Sequence, residues 1–333
     1  MAVTLREVAA LAGVSRSAVS RCFTEGASVS PSMREKITKA ADQLGYRPNA
    51  LASSLTTGRT KLVGLVSNNF HNPIFLQVFD LLTRGLQERD LRPLLVNLSD
   101  QTDPIASLKM LQQYSVDAVI VASSTLPVSF AESFHAAGVP VVHSFGRYAE
   151  KPAVNVVGID NKEAGRMAAR TMLQRGYRNV AMLAGPESAT STQDRMFGFL
   201  DALKSEGAVT VNTSFADAYS FDAGWAEMQR LIAEGPLAEC YFCGDDVLSI
   251  GALAALQSVG VRVPGDVGLI GLNDMEMARW QNIDLTTIRQ PIPEVVRLSI
   301  ELVCQMLADS AHAPMAHLLP CELIERGTLR ALP

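Results

Sequence analysis

The chain has 333 residues, of which 48% are hydrophobic and 19% charged, so it has the length of two or three domains and an ordinary globular composition. No run of about 18 apolar residues occurs, which excludes a membrane-spanning helix, and the first residues lack the basic-then-apolar order of a secretory leader, which predicts a cytoplasmic protein. Net charge is −5, but residues 1–60 carry eight Lys/Arg against four Asp/Glu, a head of +4 that leaves −9 for the rest; such asymmetry points to one segment meeting nucleic acid.

Thr4 and Glu7 have capping-box spacing. Leu5, Val8, Ala9 and Ala12 then recur with helical period until Gly13. Ser15 is placed to cap a second short helix over Arg16 to Phe23, about three residues after the first. Ala9 for close packing, Gly13 for the turn and Val19 facing inward make a helix-turn-helix layout. Ser30-Pro31 opens a third helix with Met33, Ile37, Ala40, Ala41 and Leu44 on one face and Gly45 at its end. The second helix would turn Arg16, Ser17, Ser20 and Arg21 outward, with Ser15 at its start. These are side chains suited to guanine edges and phosphates in a major groove, to which Lys36 and Lys39 would add phosphate attraction. Spacing alone leaves a small packing bundle as the other reading.

Beyond Thr60, apolar runs alternate with helical patterns. Strands are expected at 61–67, 92–98, 118–122, 139–143, 179–183, 239–242 and 267–270. Helices are expected at 75–89, 106–114, 165–174, 195–205, 249–259 and 295–307. That alternation predicts an α/β core of parallel sheets covered on both faces. In such sheets ligands lie beyond the carboxyl ends of the strands. Five cysteines are scattered at 22, 240, 243, 304 and 321, which fits a reducing compartment without disulfides. Cys240 and Cys243 form a C-x-x-C inside an apolar strand, with no second pair and no histidine at metal spacing, so two buried thiols are expected. No glycine-rich phosphate loop and no set of nucleophile, base and orienter is found. Neither a cofactor nor enzyme activity is expected.

Val14-Ser15-Arg16-Ser17-Ala18-Val19-Ser20-Arg21 and Leu44-Gly45-Tyr46-Arg47-Pro48-Asn49-Ala50-Leu51-Ala52-Ser53-Ser54-Leu55 resemble the head of the lactose/galactose repressor (LacI–GalR) family. Asn72-Pro73, Asp160-Asn161, Arg195-Met-Phe-Gly198-Phe199, Gly271-Leu-Asn-Asp274 and Leu285-Thr-Thr-Ile-Arg-Gln290 follow in family order to the C-terminus. The resemblance implies a helix-turn-helix head at 1–48 and a hinge helix and linker at 49–60. It also implies a two-lobed core like a periplasmic sugar-binding protein, with one lobe from 61–160 and 290–320 and the other from 161–289 and 321–333. Asn49, Ala52 and Leu55 would join the DNA contacts as the hinge orders on a double-stranded operator, with Leu55 as an apolar wedge in the minor groove. The effector site would take Ile74 and Phe75 as the first-lobe wall, with Arg195, Tyr219, Asp245, Asn273 and Gln290, and with Asn68 and Arg147 beside them. A sugar, sugar acid or sugar phosphate would suit such a set.

Ala18 stands where the family usually has threonine, and Cys22-Phe23-Thr24, Asp245-Asp246 and Asn273 also depart from its commoner residues. The resemblance further implies a homodimer, joined through first-lobe helices including Phe75 to Arg89, that binds a pseudo-palindromic operator as a repressor under allosteric control. No heptad repeat follows Thr328, so no tetramerising tail is expected. A solute-binding protein without regulatory role would account for the core but not for the head.

Overall fold

The computed structural model describes residues 3–24, 27–47, 54, 58–98, 104–204, 209–309 and 313–333. They divide into two compact units, Met1–Lys61 and Leu62–Pro333.

The first unit is helical. Helix α1, Leu5–Ala12, opens with the capping box: Glu7 N donates to Thr4 Oγ1 at 3.4 Å, and Thr4 N donates to the Glu7 carboxylate at 2.7 Å. Gly13 closes it in the left-handed conformation at φ 66°, where a Cβ would be strained. Helix α2, Arg16–Cys22, is capped by Ser15 Oγ, which accepts from Ala18 N at 3.2 Å. It ends one residue before Phe23, which serves as its C-cap. Helix α3, Pro31–Leu44, starts at the Ser30 cap and stops at Gly45. Val8, Ala9, Val19, Ile37, Ala40 and Ala41 form the small core. Met33, expected on that inner face, is exposed in the first turn, because the packing centres on Ile37 and Ala40, one to two turns later.

The second unit carries two sheets. The first has order β2–β1–β3–β4–β5–β11, all parallel, from Arg92–Asn97, Leu62–Ser67, Ala118–Ala122, Val141–Ser144, Asn155–Ile159 and Ala316–Leu319. The second has order β7–β6–β8–β9–β10–β12, from Thr210–Phe215, Asn179–Ala184, Cys240–Cys243, Gly268–Asn273, Thr287–Arg289 and Glu322–Ile324. Only β12 runs antiparallel to its neighbour. The central strands are buried along nearly their whole length, which is why they read as unbroken apolar runs rather than alternations.

The chain passes from the first sheet to the second between Ile159 and Asn179. It returns after Arg289 with the helix Ile292–Ala308, which packs on Ile74–Gln87, and passes over again between Leu319 and Glu322. The C-terminal residues stay with the second sheet, where Leu269 N donates to Thr328 O at 2.9 Å.

Several helices begin earlier than apolar periodicity predicts. Asn161–Gln174 starts at the Asp160 cap, Thr190–Lys204 begins five residues before Arg195, and Asp246–Ser258 starts at the Asp245 cap. The first turns of Asn161–Gln174 and Thr190–Lys204 are mostly polar, so the hydrophobic pattern passes over them. Helices Val128–Ala136 and Phe221–Glu234, and strands β5, β7, β10, β11 and β12, fall outside the expected alternation altogether.

Candidate functional site

Two surfaces carry chemistry, one in each unit. On the head, α2 buries Ala18, Val19 and Cys22 and turns Ser15, Arg16, Ser17 and Arg21 to solvent, with Ser20 half-buried. Ser15 is committed to capping and also bonds Ser17 Oγ at 2.9 Å. Arg16 and Arg21 have no ion-pair partner among the described residues. Ala18, where a threonine would present a hydroxyl, is inside the bundle at 4% exposure. Asn49, Ala52 and Leu55 lie outside the described residues.

The second surface is a cleft between the two sheets. Ile74, Phe75, Arg195, Tyr219, Asp245, Asn273 and Gln290 line one cavity there, together with Asn69, Asn72, Val78, Ser124, Phe145 and Ile292. Each expected side chain arrives from a strand end or from a helix that follows one. Asp245 follows β8 and caps the next helix: its Oδ1 accepts from Val247 N at 2.9 Å. Its Oδ2 faces the cleft and accepts from Asn72 Nδ2 of the opposite lobe and from Asn273 Nδ2, each at 2.8 Å. Gln290 Nε2 donates to Asn273 Oδ1 at 2.5 Å, which continues the chain of amides. Burial pushes the Asp245 carboxyl up, while those hydrogen bonds and the nearby Arg195 charge oppose the shift.

Arg195 is 3% exposed. Its Nε donates to Asn161 Oδ1 at 2.8 Å and its Nη1 to Gly244 O at 2.7 Å, and Nη2 has no partner among the described residues. The guanidinium is placed by two helices in close contact: a Cβ on Gly165 would run into the Arg195 carbonyl, and one on Gly198 into the Lys162 carbonyl. The walls are aromatic. Phe75 meets Phe145 edge-on with ring centroids 5.9 Å apart, and Tyr219 lies against Gly185 with its hydroxyl 2.7 Å from Thr192 Oγ1.

Asn68 and Arg147 do not line the cavity. Asn68 Nδ2 is turned to Thr125 Oγ1, and Asn68 Oδ1 accepts from Ser123 Oγ. Asn69, the next residue along the chain, takes the place at the cavity wall. Arg147 instead bridges the lobes through a 2.6 Å ion pair with Asp194. Asn72 is one of the cleft residues that sequence reasoning passed over, with Asn69 and Phe145 among the others. It stands in the Asn72-Pro73 pair, and its signal was an asparagine before the proline that opens helix Ile74–Gln87. Phe145 was hidden because it follows an apolar strand and only its backbone, at φ 65°, marks it as a turn.

The cavity holds about 20 Å³, the space of a single water. Asn72–Asp245, Arg147–Asp194 and the longer Thr190 Oγ1 to Ser124 O contact of 3.5 Å close it across the lobes. A ligand of several heavy atoms therefore enters only when these contacts part. Among the described residues no group of three or more His, Cys, Asp or Glu side chains could hold a metal ion, and no helix is long and apolar enough to cross a membrane. Cys240 and Cys243 are buried, and burial raises both thiols, Cys243 to about 12, which makes them poor nucleophiles and poor ligands.

Residues 4–49 match the model of bacterial regulatory proteins of the lacI family, and residues 169–329 match the periplasmic binding protein-like domain. The chain is 31% identical over 332 residues to the HTH-type transcriptional regulator CelR of Thermobifida fusca, with 97% of each chain covered. It is 27% identical to the HTH-type transcriptional repressor PurR of Vibrio atlanticus (strain LGP32), with 99% of each covered. The structure of a CelR–cellobiose complex superposes with a TM-score of 0.72 at 29% identity over 98% of this chain and 99% of that one. The lac repressor dimer bound to operator and the anti-inducer ONPF shares the fold, with a TM-score of 0.88 at 24% identity over 99% and 100% of the two chains.

Proposed function

The chain belongs to the LacI family of DNA-binding transcription regulators, and we propose that it is a homodimeric repressor whose grip on a pseudo-palindromic operator is switched by a neutral, polyhydroxylated metabolite in the interlobe cleft. It acts in the cytoplasm on double-stranded DNA and performs no catalysis. Arg16, Ser17, Ser20 and Arg21 read or grip the major groove, Ser15 sets the start of their helix, and Asn49, Ala52 and Leu55 engage the operator centre from the hinge.

The donor set of the cleft is the observation that supports a sugar-like effector. Asn72, Asn273, Gln290 and the free Nη2 of Arg195 can donate, and Asp245 accepts. Phe75, Phe145 and Tyr219 offer flat apolar faces for a ring. Charge narrows the class. Arg147 is paired with Asp194, and Arg195, which makes no ion pair among the described residues, lies near enough to Asp245 for its charge to act on that carboxyl, so the charge of the cleft is balanced rather than positive and favours a neutral ligand over a phosphate or acid. Asn68 and Arg147 act from behind the wall and at the lobe boundary. CelR, whose solved structure is a complex with cellobiose, is a relative whose ligand fits this description.

The mechanism is competition. The effector must displace Asn72 from Asp245, and it shifts the lobes only by its differential affinity for the parted and closed arrangements. The test is a thermal-shift titration of the full chain with cellobiose, glucose, gluconate, glucose 6-phosphate and hypoxanthine, followed by operator binding with and without any hit. A neutral sugar should raise Tm, and Arg195→Ala should abolish that rise at about tenfold higher concentration while operator binding persists. A rise with glucose 6-phosphate or gluconate alone would overturn the charge reading, and a rise with hypoxanthine alone would overturn the sugar.

A further inference from the structure

Strand β9 ends at Asn273, and Asn273 and the Asp274 that follows it are two successive non-glycine residues with positive φ, at 126° and 55°. L-residues rarely adopt that geometry, and it persists only where the surroundings over-determine it. The two side chains diverge. Asn273 turns into the cleft, onto Asp245 and Gln290. Asp274, with its side chain 10% exposed, turns the other way and is gripped by two guanidiniums, one at each oxygen: Arg326 Nη2 at 2.5 Å on Oδ1 and Arg289 Nε at 2.7 Å on Oδ2. Arg326 is itself fixed. Its Nη1 donates to Leu285 O at 2.7 Å, and its backbone N donates to Thr286 Oγ1 at 2.9 Å. Arg289 reaches on to Glu322 at 3.2 Å.

The partners lie at informative places in the chain. Arg289 and Gln290 are the last residues before the chain leaves the second lobe. Glu322 is the first residue of β12, and Arg326 follows that strand, just after the chain has returned. A single two-residue turn is therefore bonded on one side to the effector cleft and on the other to both strands that adjoin the lobe crossings.

We propose that Asp274 is a positioning residue: held between Arg289 and Arg326, it fixes the backbone turn that places the Asn273 amide on Asp245, and so ties closure of the cleft to the strands at the crossings. Asn273 without this brace relaxes to an ordinary φ and turns its amide away. Asp245 then loses one of two side-chain donors, and the Asn72–Asp245 bond across the lobes loses its partner in the network. The inference rests on the cleft reading for what closure controls, but not on the identity of the effector.

The experiment therefore needs no ligand. Hydrogen exchange is measured on the full, ligand-free chain for the wild type, Asp274→Asn, Asn273→Ala and the double variant. The reporter is the Ile74 amide, which donates to Asn72 Oδ1 at 3.2 Å in the lobe across the cleft from Asp274. Asp274→Asn should speed exchange there by about threefold or more, as local opening becomes cheaper, and should add nothing further in the Asn273→Ala background. Faster exchange confined to 273–289 and 322–326 would reduce the ion pairs to a local brace and overturn the proposal. An equal extra gain in the Asn273→Ala background would overturn it too, because Asp274 would then act by another route. Arg289→Gln, at a side chain 46% exposed, is the second variant should Asp274→Asn not fold; it should give a smaller rise at Ile74, and no rise overturns the proposal.

Discussion

At the scale of single residues, two neighbouring aspartates divide the work at the start of helix Asp246–Ser258. Asp245 serves the cleft. Asp246 is wholly buried behind it, accepting from Thr287 Oγ1 at 2.5 Å and from Met275 N at 2.8 Å. Burial pushes the Asp246 carboxyl up to about 7, against those hydrogen bonds and with help from the Asp245 and Asp274 charges. The folded chain thus keeps a proton that the unfolded chain releases near pH 4. Its contribution to stability is full below about pH 4 and is lost as pH rises through about 7. The Asp246→Asn substitution keeps a side-chain carbonyl to accept from Met275 N and adds an amide that can donate to the Thr287 hydroxyl. Urea unfolding of wild type and Asp246→Asn across pH 4 to 8 should show the variant gaining a few kcal/mol relative to wild type as pH rises. A difference independent of pH would mean that Asp246 stays ionised in the fold.

At the scale of elements, the cleft depends on how closely two helices approach. Asn161–Gln174 supplies Asn161, and Thr190–Lys204 supplies Asp194 and Arg195, so their contact sets where the guanidinium sits. Gly198 allows the approach, since what a Cβ would meet is backbone of Lys162 rather than a side chain able to swing aside. Gly198→Ala should cost about 1–3 kcal/mol by overpacking, seen as a lower Tm, and should also weaken effector binding, because Arg195 lies one turn away. An unchanged Tm would show that the helices can part without penalty. The head illustrates a more local case: the ends of α1 and α2 are set by their caps, Thr4 with Glu7, Gly13 and Ser15, while Val8, Ala9 and Val19 pack the two helices together.

At the scale of the whole molecule, charge is distributed unevenly, with the basic residues of 1–60 set against a −9 remainder. Operator affinity should fall steeply with salt, by about 10³–10⁵ between 50 and 200 mM if six to ten phosphates are neutralised. Arg16→Ala and Arg21→Ala separate two roles on α2. A loss of about 1–3 kcal/mol limited to one or two base pairs marks a guanine contact, whereas a uniform loss with a shallower salt slope marks a phosphate contact. Either result is read by binding to a panel of operator variants at two salt concentrations.

The sequence by itself determined the local structure and the class. Capping residues and glycines act within a few positions of where they stand, so α1, α2 and α3 and their boundaries were legible, as were the buried parallel strands, whose apolar runs need no distant partner to be recognised. The resemblance also singled out Arg195, Tyr219, Asp245, Asn273 and Gln290, residues that line one cavity. What only the tertiary structure decided is which side chains bond to which. Asn72 and Asp245 are 173 positions apart, and Arg147 and Asp194 47, and no periodicity records such pairs. Asn68 and Asn69 are neighbours that both bond Ser123 and Thr125, yet only Asn69 lines the cavity, a difference no local pattern records. Of the strands outside the expected alternation, β7, β11 and β12 pair at sheet edges, so a sheet already there offers them a partner, whereas β5 and β10 lie inside their sheets, paired on both sides.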